Sequence, residues 1–179
     1  MRLNTRPEGE GHEKHLFTPA TTPLAPQSSD PESTVQDLER ISRAFVDVLN
    51  AHDFDFTSLR AQEVRSRMSP DWRTRIDTVG DPQPCDFEEQ QRRWKSRALD
   101  NPDVHFKVVE VMSKVVERKQ RARVFMEMEV SGVTSGKVMA MNELRWKKVD
   151  GVWLCYYTIG MRGGGVNNAA ALGSFDLDS

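Results

Sequence analysis

Apolar residues recur at helical spacing in the first half of this chain and alternate at strand spacing in the second. Val35, Leu38, Ile41, Phe45, Val48 and Leu49 share one face of a 3.6-residue period, with Asp37, Arg40 and Asp47 opposite, and predict a first helix. Ser33 and Gln36 have the spacing of a capping box, which puts its start at Ser33-Thr34. His52-Asp53-Phe54-Asp55-Phe56 breaks it. Asp55 or Thr57 can cap a shorter second helix that ends by Met68, because Ser69-Pro70 opposes continuation. A short strand is expected over Trp72–Thr78. Asp86 and Glu89 then make an acidic start for a third helix, whose face of Phe87, Gln91, Trp94 and Ala98 ends at Asp100-Asn101-Pro102.

From Val104 onward the pattern is β. Val104–Val116 reads as one long strand and Arg118–Gln120 as a charged turn. In Arg121–Val130, Ala122, Val124, Met126, Met128 and Val130 alternate with Arg121, Arg123, Phe125, Glu127 and Glu129, the signature of a half-buried antiparallel strand. After a turn at Gly132 to Gly136, Lys137–Val149 and Val152–Met161 form a hairpin closed by Asp150-Gly151. That dipeptide suits a type I′ turn, which needs positive φ at both central residues.

Residues 1–33, rich in Pro, Ser and Thr, read as a disordered leader with too little apolar area to offset ordering. Residues 34–162 form one domain. Gly163-Gly164-Gly165 opens a flexible tail over 163–179 and lacks the strand–helix context of a phosphate loop.

Composition narrows the partners. Of 179 residues, 37% are hydrophobic and 29% charged, with a net charge of −2. No basic stripe recommends nucleic acid or an anionic membrane as a partner. Cys85 and Cys155 are far apart and belong to no CxxC or Cys/His spacing, so neither a metal nor a disulfide framework is expected. His12 and His15 read as solvated bystanders in the leader. No apolar run reaches membrane-spanning length and the first residues lack a secretory apolar core, so the default location is cytoplasmic.

The element order α-α-β-α-β-β-β-β over 34–162 resembles the NTF2-like (SnoaL-like) superfamily. The run Asn142-Glu143-Leu144-Arg145-Trp146-Lys147-Lys148-Val149-Asp150-Gly151-Val152-Trp153, together with His105-Phe106, is most similar to its scytalone dehydratase-like branch. The resemblance implies an α+β, cystatin-like cone: a curved antiparallel sheet wrapped around about three helices, with a hydrophobic pocket at its open end. It also implies catalytic roles for two residues, Asn142 binding a substrate oxygen and His105 helping to position an acid/base water. Other family positions differ: the helix-1 Tyr-Asp pair falls on Leu49-Asn50, a strand tyrosine near Ile76 and a pocket serine on Ala140, and no second histidine lies near Gly132.

The residues give their own account of the same site. Asn142 shares its strand face with Val138, Ala140, Leu144 and Trp146, where an amide must find a partner or a ligand. The opposite face assignment, with Glu143 and Arg145 inward, is disfavoured because Lys147 would follow them. His105 is either a general base or an exposed strand-edge histidine. His52 continues the helix-1 stripe toward the cavity mouth, or is simply favoured by the helix end. Tyr156 and Tyr157 point to opposite faces, so one looks inward to a substrate, and Trp72 and Trp94 wall the pocket. Glu127 and Glu129 share their face with Arg121 and Arg123, which reads as a solvated or interface face.

Two function classes follow. One is a cofactor-free dehydratase, cyclase or isomerase acting on a polyketide- or terpenoid-like substrate. The other is a non-catalytic carrier or assembly module. Both take a small apolar organic ligand and both accommodate a homodimer paired through the sheet. Convergence of two titratable groups in one pocket separates them.

Overall fold

The computed structural model describes residues 30–76, 83–133 and 136–162. The tail, all of the leader but its last four residues, and the end of the strand expected up to Thr78 lie outside the described residues. Helix α1 spans Pro31–Asn50 and begins earlier than the capping-box spacing suggests. Asp30 is the cap, its carboxylate accepting from the Glu32 amide at 3.3 Å. Pro31 takes a first-turn position where its missing N–H costs nothing. Ser33 donates its hydroxyl to the Asp30 carbonyl instead of capping. Helix α2, Leu59–Ser66, is capped by Ser58 rather than by Asp55 or Thr57. Asp53 organises the loop between them by accepting from the Thr57 and Ser58 amides, both at 2.9 Å.

Strand β1, Met68–Ile76, precedes helix α3, Phe87–Asp100, which Asp86 caps through the Glu89 amide. Strands β2 (His105–Val116), β3 (Arg121–Val133), β4 (Gly136–Val149) and β5 (Val152–Arg162) follow. The five strands lie in the order β1-β5-β4-β3-β2. The sheet is mixed, not wholly antiparallel as expected, because β1 runs parallel to β5. The connection through α3 carries the chain from β1 at one edge of the sheet to β2 at the other.

The expected alternation in β3 sets the concave face. Ala122, Val124, Met126 and Met128 are buried and pack with Leu38, Ile41, Trp72, Leu144 and Trp146. A second cluster joins Phe45 and Val48 of α1 to Phe56, Ala61, Val64 and Met68. Asp150 and Gly151 both have positive φ, as the type I′ reading requires. Gly132, at φ +76°, is held beneath the loop before β2: a Cβ there would lie 1.9 Å from the Asp103 carbonyl oxygen.

Candidate functional site

Cross-strand register decides what each face offers. Asn142 pairs with Met126 on one side and Gly160 on the other, so its amide stands on the concave face, half-buried. Val124–Leu144–Thr158 forms the next row inward, and Met128–Ala140 the next row outward. Among the described residues no hydrogen bond engages the Asn142 side chain. An amide half-removed from water in apolar surroundings is left ready to pair. Glu143 lies on the convex side, where its carboxylate accepts from Arg145 Nε at 2.8 Å.

His105 stands apart from Asn142. It is exposed and pairs with Ser131, while its neighbour Phe106 takes the concave position opposite Val130. The alternation of Phe106 and Val108 with His105 and Lys107 carries this signal in the sequence itself. His52 is also exposed, at φ +53°, on the turn that leaves α1. Its ring stacks on Phe54 with centroids 5.6 Å apart.

The tyrosines correct the sequence expectation that they face opposite ways. Arg145 pairs with Tyr157 but Trp146 pairs with Cys155, so Tyr156 is an extra residue at a β-bulge. A bulge interrupts the two-residue alternation, and both rings lie among convex-face cations. Arg121 and Lys147 are 6.0 and 5.6 Å from the Tyr156 ring, and Arg145 is 5.5 Å from Tyr157.

Trp72 is fully buried, its indole donating to the Thr158 hydroxyl at 3.2 Å. Trp94 is half-buried and packs against Phe45, Phe54, Trp72 and Phe87. The two tryptophans thus join the core beneath α3. A small, partly open cavity of about 10 Å³, lined by Leu144, Trp146, Thr158, Cys155 and Arg67 among others, is at the lower limit for one water. Asn142 does not line this cavity.

Cys155 is buried against Thr158, and burial pushes its thiol up to about 11. Burial likewise raises Cys85, whose thiol donates to Gln90 Oε1 at 3.4 Å. Neither is poised as a nucleophile. No cluster of three metal-ligating side chains occurs among the described residues. No helix there is long and apolar enough to cross a membrane.

No family profile matches the chain, and no curated protein sequence matches it. Solved structures do. A hexachlorocyclohexane dehydrochlorinase, LinA-type3, from Novosphingobium barchaimii LL02 superposes with a TM-score of 0.59 at 10% identity, covering 74% of this chain and 88% of that one. A candidate dehydratase of the NTF2-like family from Streptomyces avermitilis gives 0.56 at 13% identity, covering 76% and 100%. An uncharacterised protein with a cystatin-like fold from Caulobacter vibrioides gives 0.57 at 12% identity, covering 78% and 96%. At these identities the likeness is one of fold, and the fold is the NTF2-like, cystatin-like cone.

Proposed function

We propose that this protein binds a small, largely apolar organic molecule at the open end of the cone, with Asn142 anchoring its oxygen. The observation that carries this reading is the Asn142 amide, half-buried on an apolar concave face and engaged by no hydrogen bond among the described residues. An amide offers both a donor and an acceptor, so a hydroxyl or a carbonyl suits it equally. Binding without catalysis is the form the geometry favours, because His105 is exposed and pairs with Ser131 while its neighbour Phe106 takes the concave position.

The catalytic form is a cofactor-free dehydration, cyclisation or isomerisation of a polyketide- or terpenoid-like substrate. The fold likeness to a candidate dehydratase and a dehydrochlorinase supports it. It assigns proton transfer to His105, and the placement of His105 away from Asn142 weighs against it.

Titration with 2-naphthol and naphthalene, followed by amide chemical shifts, tests the binding reading. The expected result is saturable shifts around Asn142, Ala140 and Gly160, with naphthol preferred and that preference lost in Asn142→Leu. Absence of saturable shifts with either probe, or an unchanged preference in the variant, overturns it.

A further inference from the structure

Strand pairing assembles a cationic band on the convex face. Lys114, Arg123, Arg145, Tyr157 and Arg73 align in one row across all five strands. Neighbouring strands lie about 4.8 Å apart, so the row runs about 19 Å across the sheet. Arg121 and Lys147 pair in the next convex row on one side, and Arg75, beside Ile159, stands in the next row on the other. No run of basic residues announces the band in the sequence, because its members are scattered over β1, β2, β3 and β4 and meet only through register.

Two carboxylates interleave with these cations. Glu143 accepts from Arg145 Nε at 2.8 Å and lies 3.5 Å from Arg123 Nε, and Asp71 holds Lys147 at 2.8 Å. Like charges directly opposite on a sheet repel, and the row sets Arg123 between Lys114 and Arg145. Lys114, Arg121, Arg73 and Arg75 are exposed, so a polyanion arriving from solvent relieves that repulsion. The bulge adds two half-buried tyrosines. Tyr156 lies beside Arg121 and Lys147, and Tyr157 stands in the row between Arg145 and Arg73.

We propose that this band binds single-stranded nucleic acid, its phosphates tracking the cationic row and its bases resting on the tyrosine rings. Arginine presents a planar fork that bonds phosphate oxygens two at a time, and arginines outnumber lysines in the band. A row of cations matches a backbone that carries one charge per nucleotide. Rings among the cations favour unpaired bases over an acidic peptide, whose carboxylates gain nothing from a ring face. They also favour a single strand over a duplex, whose bases already stack on each other. With a net charge of −2 the chain offers polyanions no general attraction, so binding is confined to the band. Asn142 lies on the opposite side of the sheet, and this inference stands apart from its role.

Fluorescence anisotropy of the full chain with a fluorescein-labelled 20-nucleotide oligothymidylate tests it. Saturable binding is expected at 50 mM salt, weakening roughly tenfold or more at 200 mM, as contacts to about three phosphates require. Arg73→Glu and Arg121→Glu should each weaken binding by roughly tenfold. Lys107→Glu, an equal change of charge at the other end of β2, should leave it unaltered. An abasic oligomer of the same length should bind about fivefold more weakly or worse. Circular dichroism checks that each variant is folded. The proposal is overturned by a wild type that shows no saturable binding, or by folded band variants that bind as it does. Equal binding of the abasic oligomer, or equal competition by a 20-residue polyglutamate, overturns it as well.

Discussion

The side chain of Asn50 pairs with the backbone of Phe106 as a neighbouring strand would. Its amide nitrogen donates to the Phe106 carbonyl at 2.8 Å, and its oxygen accepts from the Phe106 amide at 2.9 Å. The last residue of α1 thereby occupies the outer edge of β2, one residue past His105, and ties the helix layer to the rim of the sheet. Asn50→Ala removes both bonds and leaves two half-buried backbone groups to water or to nothing. The expected loss is on the order of 1–3 kcal/mol, measured by denaturant unfolding. Faster hydrogen exchange at Phe106 than at Val124 would localise it, and unchanged exchange there would refute the assignment.

Asn142 should behave in the opposite way. With no side-chain hydrogen bond among the described residues to lose, Asn142→Leu is expected to leave unfolding free energy within about 0.5 kcal/mol or to raise it. A drop of several kcal/mol on denaturant titration would show that the amide serves the fold instead of a ligand.

Gly132→Ala should be among the most damaging single changes. The new methyl would meet the Asp103 carbonyl oxygen at 1.9 Å on a backbone with φ of +76°. Strain and forced displacement together are expected to cost roughly 2–4 kcal/mol. A thermal melt indistinguishable from wild type would mean that the Asp103 loop yields freely.

Stability should decline with acid. The Ser58 hydroxyl with the Thr57 and Ser58 amides holds the Asp53 carboxyl well below its usual range, and Lys147 with Ser69 lowers Asp71. Arg40 lowers Glu63 in the same way. A carboxyl depressed in the folded state contributes stability above its unfolded value, near pH ~4, and loses it as pH falls toward the folded value. Unfolding measured from pH 6 down to pH 2 should therefore show a falling free energy, with a shallower fall in Asp53→Asn.

Neither thiol should react in the native protein. Cys155 and Cys85 are buried, and burial raises both. Mass spectrometry after maleimide treatment at pH 7 should find no label until denaturant is added. Rapid labelling under native conditions would reveal an opening beneath α3 or β5.

Much of this arrangement is legible in the residues. The alternation in Arg121–Val130 and the Asp150-Gly151 turn fix the concave face of three strands, and the company of Val138, Ala140 and Leu144 places Asn142 there. For His105 the residues leave a general base and an exposed strand-edge histidine both open, and the structure takes the second, in line with the alternation of His105 and Lys107 with Phe106 and Val108. Three features were less accessible. The start of α1 depends on Asp30 winning over Ser33 as the cap, a contest decided by Pro31 at the first turn. The parallel pairing of β1 with β5 is a long-range choice that no local period encodes. The role of Asn50 depends on Phe106, 56 residues away.

The extra residue at Tyr156 has an effect on volume. Upstream of it, Trp153 and Cys155 are the inward members of β5; downstream, Thr158 and Gly160 are. Had the strand kept its count, odd numbers would have stayed inward, and Tyr157 and Ile159 would fill the concave side next to Leu144 and Asn142. The slip of one place exchanges a bulky aliphatic side chain for a hydrogen atom beside the amide. The glycine beside the amide thus depends on the bulge and not on the Tyr156 ring. Deleting Tyr156 would make the pairing regular and keep Thr158 and Gly160 inward, whereas a register that absorbed Tyr156 without a bulge would bring Ile159 beside Asn142.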